Sequence, residues 1–223
     1  MQSFTFIQEK YSCKIFLLGK APCPCIYCIT EAESAEQLAA ALAGQAVALV
    51  TISGASWEGE LSPWPASKAF PGGRDFGGGA DDLIRVLEKE LLPVAESRLG
   101  FTPTYRVAAG YSLAGLFSLY MPYRTALFQR IVCASGSLWY NHFLDFMRDN
   151  QMIQLPDKVY FSLGDKEKLT KNKRLAVVEA RTVEAKELLD RHGVTTVFVK
   201  NAGGHFQEPV ERLAKGINWI VME

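Results

Sequence analysis

Residues 105–120 read YRVAAGYSLAGLFSLY, and the way this stretch folds decides the architecture of the whole chain. Val107, Ala108 and Ala109 have the unbroken apolar character of a short buried strand, whereas Leu113, Leu116, Phe117 and Tyr120 recur at helical spacing. A strand must therefore give way to a helix at a lone serine, Ser112. Gly110 and Ala114, two positions to either side, are small, as they must be where strand and helix nearly touch. The pattern predicts a nucleophile elbow, with the serine oxygen at a helix N-terminus whose partial positive charge favours a developing anion. A tight turn with a merely capping serine would use the same residue types.

Working outward, strands and helices alternate along the chain. FTFIQE and CKIFLLG predict an opening antiparallel pair, CIYCIT a strand, 34–43 a helix stopping at Gly44, and AVALVTIS a strand covered on both faces. Residues 54–79, rich in Gly, Pro and Trp, read as a long loop; 81–99 reads as a helix that Pro93 can kink. RIVCASGS, KVYFSLGD and TTVFVKNAGG read as further strands. Helices are expected over 172–191, ending at His192-Gly193, and after Pro209, with Val210, Leu213, Ile217 and Ile220 facing inward. This order predicts an α/β fold: a mostly parallel sheet with helices on both faces, in a single domain spanning 1–223.

Composition narrows the function. The 223 residues are 48% hydrophobic and 22% charged, which suits a globular core. Lys+Arg and Asp+Glu both total 24, so no net field favours nucleic acid or a membrane surface. The longest apolar runs fall far short of the roughly 20 residues of a membrane helix. MQSFTFIQEK lacks the basic-then-apolar order of a secretory leader, and the five cysteines are odd in number; together they predict reduced thiols and a cytoplasmic location. CPCIYC has no second Cys or His pair to complete a zinc site, so its cysteines read as small core residues.

In an open α/β sheet, ligands gather beyond the carboxyl ends of the strands, which directs attention to three places. Ser112 is the first. The second is the loop SLGDKEKLTKN, where Asp165 and Glu167 both follow a strand and position alone does not choose between them. The third is His205, directly after Gly203-Gly204 at the end of the last strand. His192 closes a helix and His142 falls on a peripheral segment, so His205 is the expected base. The chain order serine, acid, histidine is that of α/β-hydrolases. PGGRDFGGGADD lacks the G-K-[ST] ending of a phosphate cradle, so its glycines read as turns. Trp57, Trp64 and Trp139, with Tyr111 beside the serine, are the aromatic residues expected to wall a substrate pocket.

With AAGYSLAGLFSLY, ASGSLWY, SLGDKE, NAGGHF and the loop ASWEGELSPWPASKAFPGGRDFGGGADDLI in place, the chain resembles the putative-esterase group of α/β-hydrolases, the esterase-D and enterochelin-esterase-like family. The resemblance covers nearly everything after about residue 21. It implies an α/β-hydrolase fold without a large cap domain, hydrolysis of small-molecule esters, and no cofactor or metal. In this family the acid follows the strand glycine by three positions, which implies Glu167, with Asp165 in reserve. The oxyanion hole implied is the N–H of Leu113 and a second donor at Thr30 or Glu31, in the stretch CIYCITEAES that replaces the usual His-Gly strand end. Ala114 stands where glycine is commoner.

The expected function is that of a serine ester hydrolase: Ser112 attacks, His205 moves the proton, the acid steadies His205, and an acyl-enzyme forms. The alternative is a catalytically silent α/β-hydrolase-fold binding protein, for which the unusual CITEAES loop is the motive. Peptidase or acyltransferase chemistry would use the same three groups.

Overall fold

The structure, a computed structural model, describes residues 2–222. Strands β1 (Gln2–Gln8) and β2 (Tyr11–Leu17) form the opening antiparallel hairpin. Strand β3 (Cys25–Ile29), helix α1 (Ala35–Ala41) and strand β4 (Ala48–Ser53) follow, with Gly44 at positive φ where the helix is left.

The segment 54–79 is more than the loop expected. It contains a short helix α2 (Trp57–Glu60) and a small antiparallel ribbon of β5 (Pro65–Ala66) and β6 (Phe76–Gly77). Glu60 fastens α2 in place: its carboxylate accepts from the Ser56 N–H (2.6 Å) and from the Tyr11 hydroxyl (2.6 Å). The helix expected over 81–99 is α3 (Ala80–Val86), a π-helical turn (Leu87–Leu91) and α4 (Leu92–Leu99). Pro93 explains the wider turn. It has no N–H to donate and its ring crowds the carbonyl one turn back.

Strand β7 (Arg106–Tyr111) runs into α5 (Leu113–Tyr120), then come β8 (Arg130–Ala134), α6 (Phe143–Asp149) and β9 (Lys158–Gly164). Helix α6 was not anticipated from the sequence. The helix expected over 172–191 is divided into α7 (Lys173–Ala176) and α8 (Val178–Arg191). Strand β10 (Thr195–Asn201) and helix α9 (Pro209–Val221) complete the described chain.

The sheet has the order β1-β2-β4-β3-β7-β8-β9-β10. Strand β2 pairs antiparallel with β1 and β4; every other pairing is parallel. Helices α1 and α9 pack through Leu38, Val210, Leu213 and Ile217 on one face. Leu83, Phe117, Phe143 and Leu189, from α3, α5, α6 and α8, pack on the other. This is the α/β-hydrolase architecture, with both sheet faces covered. All five cysteines are buried and unpaired, four of them on β2, β3 and β8. Among the described residues no helix is long and apolar enough to cross a membrane.

The sheet positions the chemistry. Strand order reverses beside β7, between it and β3, and such a switch point opens a crevice at the carboxyl ends. The register sets Ile29 against Gly110, Tyr111 against Ala134, and Gly164 against Asn201. The loops after β3, β7, β8, β9 and β10 therefore emerge side by side on one edge.

Candidate active site

Ser112 occupies the single residue between β7 and α5 and has φ 58° and ψ −120°. Non-glycine residues in such conformations cost on the order of 1–3 kcal/mol, offset by what surrounds them. Here the backbone is tied down on both sides. The Ser112 N–H donates to Ala134 O (3.0 Å), and the Ser112 carbonyl accepts from Leu116 N–H (3.1 Å) and Ser137 N–H (3.0 Å). Gly110 is obligatory, because a Cβ there would lie 2.2 Å from the carbonyl oxygen of Ala114. Despite its place at the start of α5, Ser112 makes no side-chain capping bond. Its oxygen is free for another partner.

That partner is His205. Nε2 lies 2.9 Å from Ser112 Oγ, and Nδ1 lies 2.7 Å from Glu167 Oε2. The residues of these contacts are separated by 93 and 38 positions in sequence. The imidazole is 27% exposed and the carboxylate 5%, so one end of the relay meets solvent and the other is sealed. Glu167 Oε1 accepts from Gly164 N–H (2.6 Å), Ser135 Oγ (2.8 Å) and Arg212 Nη1 (3.1 Å). Burial pushes the Glu167 carboxyl up, but the bonds from His205, Gly164 and Ser135 and the nearby imidazole charge outweigh it and hold the carboxyl below its ordinary value.

Arg212 is the residue that sequence reasoning missed. It lies on the inner side of α9 and is 2% exposed. Its guanidinium reaches Glu167, Ser135 Oγ (3.1 Å), Tyr111 OH (3.1 Å) and the carbonyls of Ala202 (3.0 Å) and Gly204 (2.9 Å). One cation thus joins the end of β7 to the loops after β8, β9 and β10. The available signal was an arginine set between Val210 and Leu213 on the apolar stripe of α9. Gly164 makes room for it: a Cβ there would sit 2.3 Å from Gly203 O and about 3.0 Å from the guanidinium.

The remaining candidates divide. Asp165 does not reach His205; its carboxylate accepts from Gly203 N–H (2.8 Å) and braces the histidine loop. Tyr111 donates to the His205 carbonyl (2.5 Å), supporting that loop from below. Leu113 is the first residue of α5, so its N–H has no acceptor in a preceding turn. Thr30 is a correction: its N–H donates to Ile52 O (3.0 Å) as an extension of the sheet and is not available to an oxyanion. Glu31, the other position considered, has its side chain exposed and away from the core. His142 and His192 lie exposed and elsewhere.

Three lobes of open space meet at Ser112. The largest, about 430 Å³, is lined by Trp57, Phe70, Trp139, Leu175, Val178 and Phe206, together with His205. A second, about 290 Å³, runs past Thr30, Glu31 and Tyr111 and also touches His205 and Phe206. A small third lobe, about 80 Å³, contacts Leu113, Ala69 and Phe76 but not His205. Trp57 borders all three, and Trp139 the largest and the smallest. Trp64 borders none of them. Its indole donates to Asn141 O (3.0 Å) and lies among Tyr120, Tyr140, Phe143 and Phe146, so this half-buried ring packs against the core.

Solved structures share this fold at low identity. A siderophore hydrolase, EstB, from Aspergillus nidulans is 20% identical, with a TM-score of 0.74 over 99% of this chain and 94% of that one. An IroE-like serine hydrolase from Shewanella oneidensis is 17% identical, with a TM-score of 0.77 over 99% and 79%. The BES protein of Bacillus cereus is 19% identical, with a TM-score of 0.66 over 100% and 96%. No curated protein matches the sequence. The family described as Putative esterase matches residues 26–208, a span that runs from β3 to the loop carrying His205. The chain belongs to the Putative esterase family and is an α/β-hydrolase-fold enzyme acting on esters.

Proposed function

We propose that the protein hydrolyses carboxylic esters through an acyl-enzyme on Ser112. With the Nδ1 proton donated to Glu167, the Nε2 lone pair of His205 accepts the Ser112 proton as Oγ bonds to the acyl carbon. The Leu113 N–H receives the oxyanion, and the Glu31 N–H, next to the engaged Thr30, is the second donor. His205 then returns its proton to the alcohol oxygen as the C–O bond breaks. Water attacks the acylated Ser112 by the same steps in reverse and releases the acid. Glu167 stays ionised throughout, as its lowered pKa requires, and steadies the imidazolium.

One observation carries this reading: an unbroken hydrogen-bond relay from a strained serine, through an imidazole, to a buried carboxylate. A silent binding fold would gain nothing from holding Ser112 at positive φ with its hydroxyl uncommitted to capping. Ser112→Ala should lower kcat for p-nitrophenyl acetate by at least about 10⁴-fold, and a fluorophosphonate should label the wild type but not the variant. Turnover unchanged in Ser112→Ala would reject the assignment.

A further inference from the structure

The three lobes around Ser112 are unequal, and the direction of proton transfer says which part of an ester each can hold. In the collapse of the tetrahedral intermediate the leaving oxygen must take its proton from His205 Nε2, so the alcohol leaves on the histidine side. Both larger lobes are lined by His205; the small one is not. The acyl chain, which points away from the leaving group, is then directed into the small lobe.

That lobe is about 80 Å³. At roughly 30 Å³ per water-sized group, it takes two or three heavy atoms beyond the carbonyl carbon. Its walls are also fastened. Asn172 Nδ2 donates to Ala69 O (2.7 Å) and Arg174 Nη1 to Ser67 O (2.6 Å), tying the 67–69 segment to α7. The Arg174 guanidinium lies 5.0 Å from the Trp139 ring centroid and 5.5 Å from that of Phe76, backing two of the aromatic walls. Glu58 and Arg74 also line the lobe, and their charges offer nothing to a longer apolar chain. The histidine side is the reverse. Leu175, Val178 and the 89%-exposed Phe206 present a broad apolar surface.

We propose that the enzyme selects esters of short acids, acetyl to butyryl, with bulky apolar alcohols. This rests on Ser112 as nucleophile and His205 as the proton donor to the leaving group.

The test uses two matched series with purified protein. Along p-nitrophenyl acetate, butyrate and octanoate, kcat/KM should fall at least about tenfold between butyrate and octanoate. With the acyl group held as acetyl, 2-naphthyl acetate should exceed phenyl acetate severalfold. Ala69→Leu should lower the butyrate-to-acetate ratio, and Trp57→Ala should raise the octanoate-to-acetate ratio. Phe206→Ala should reduce the preference for naphthyl over phenyl and leave the acyl ratios in place. Octanoate turned over as well as butyrate, or Ala69→Leu altering the alcohol ratio instead of the acyl ratio, would overturn the assignment. In either case Ser112-dependent turnover would leave the catalytic reading intact. No turnover of any ester and no fluorophosphonate labelling would overturn both.

Discussion

The segments after β7, β9 and β10 and the segment after β4 all leave the same edge of the sheet, yet they are built on opposite principles. The first three are short and polar. Arg212 binds the end of β7 and the segments after β8, β9 and β10 into one unit through five contacts, to the side chains of Tyr111, Ser135 and Glu167 and to the carbonyls of Ala202 and Gly204. The segment 54–79 is long and adds aromatic packing to its hydrogen bonds, with Trp64 and Phe76 among neighbouring rings. In the proposed reaction, chemistry that tolerates little displacement sits on the first kind, and the walls that would sort substrates sit on the second. A buried cation can hold reacting groups in fixed relation, whereas packed rings shape a cavity that can be altered without loss of the reaction.

Substitutions on the polar side should therefore act on kcat. After Ser112→Ala, His205→Ala should have the largest effect, lowering kcat by at least about 10³-fold with little change in melting temperature, since the ring is part-exposed and fills little of the core. Near-normal turnover in that variant would break the comparison at its centre. Arg212→Met should come next. It leaves Glu167 buried without its cation, a loss on the order of 3–5 kcal/mol in stability. Removing a positive charge beside the Glu167–His205 pair should also favour protonation there, so that the acid limb of the rate profile moves to higher pH. Arg212→Lys keeps the charge but not the fork, and should recover the pH profile better than kcat. Thermal melts and a pH series on the two variants separate charge from geometry.

A smaller effect follows from the wild-type Glu167 itself. Its folded pKa lies below the ordinary value, so its contribution to stability is present above the unfolded pKa and is lost as pH falls through the folded one. Urea midpoints should therefore show the stability gap between wild type and Glu167→Ala constant near neutrality and narrowing only in acid, below the usual glutamate range. A gap that widens on acidification would mean that Glu167 is held neutral.

The same division explains what could be read from residues alone. The turn at Ser112 was legible because it is local: Gly110 and Ala114 are small for a reason that acts over four residues, and alternating apolar segments imply strands whose ends align. The choice of Glu167 over Asp165 was not available from position after the strand; it came only with the family resemblance. In space it depends on which carboxylate faces β8, and Asp165 turns instead to the Gly203 N–H. Arg212 was hidden because buried charge breaks the pattern by which inward faces are recognised. Thr30 was a plausible donor until the sheet extended one residue further and engaged its N–H with Ile52. The tryptophans were least legible of all, since nothing local distinguishes a ring that lines a cavity from one that fills a core.

Trp57 and Trp64 make that last point testable, seven residues apart in one segment. Trp57 borders all three lobes at Ser112, so its removal should act on selectivity. Trp64 stacks on Phe143 at 6.3 Å, lies edge-on to Tyr120 at 6.5 Å, and satisfies the Asn141 carbonyl with its indole N–H. Trp64→Phe keeps most of the apolar contact and leaves the exposed Asn141 carbonyl to water, which should lower stability by no more than about 1 kcal/mol. Because the change is absorbed within the packing of α5 and α6, kcat/KM and the acyl-length ratio should stay within about twofold of wild type, well inside the spread that pocket residues produce. A shifted acyl ratio in Trp64→Phe would show that the aromatic cluster and the cavity move together, and the separation between holding and sorting would then lie deeper in the segment than its two tryptophans indicate.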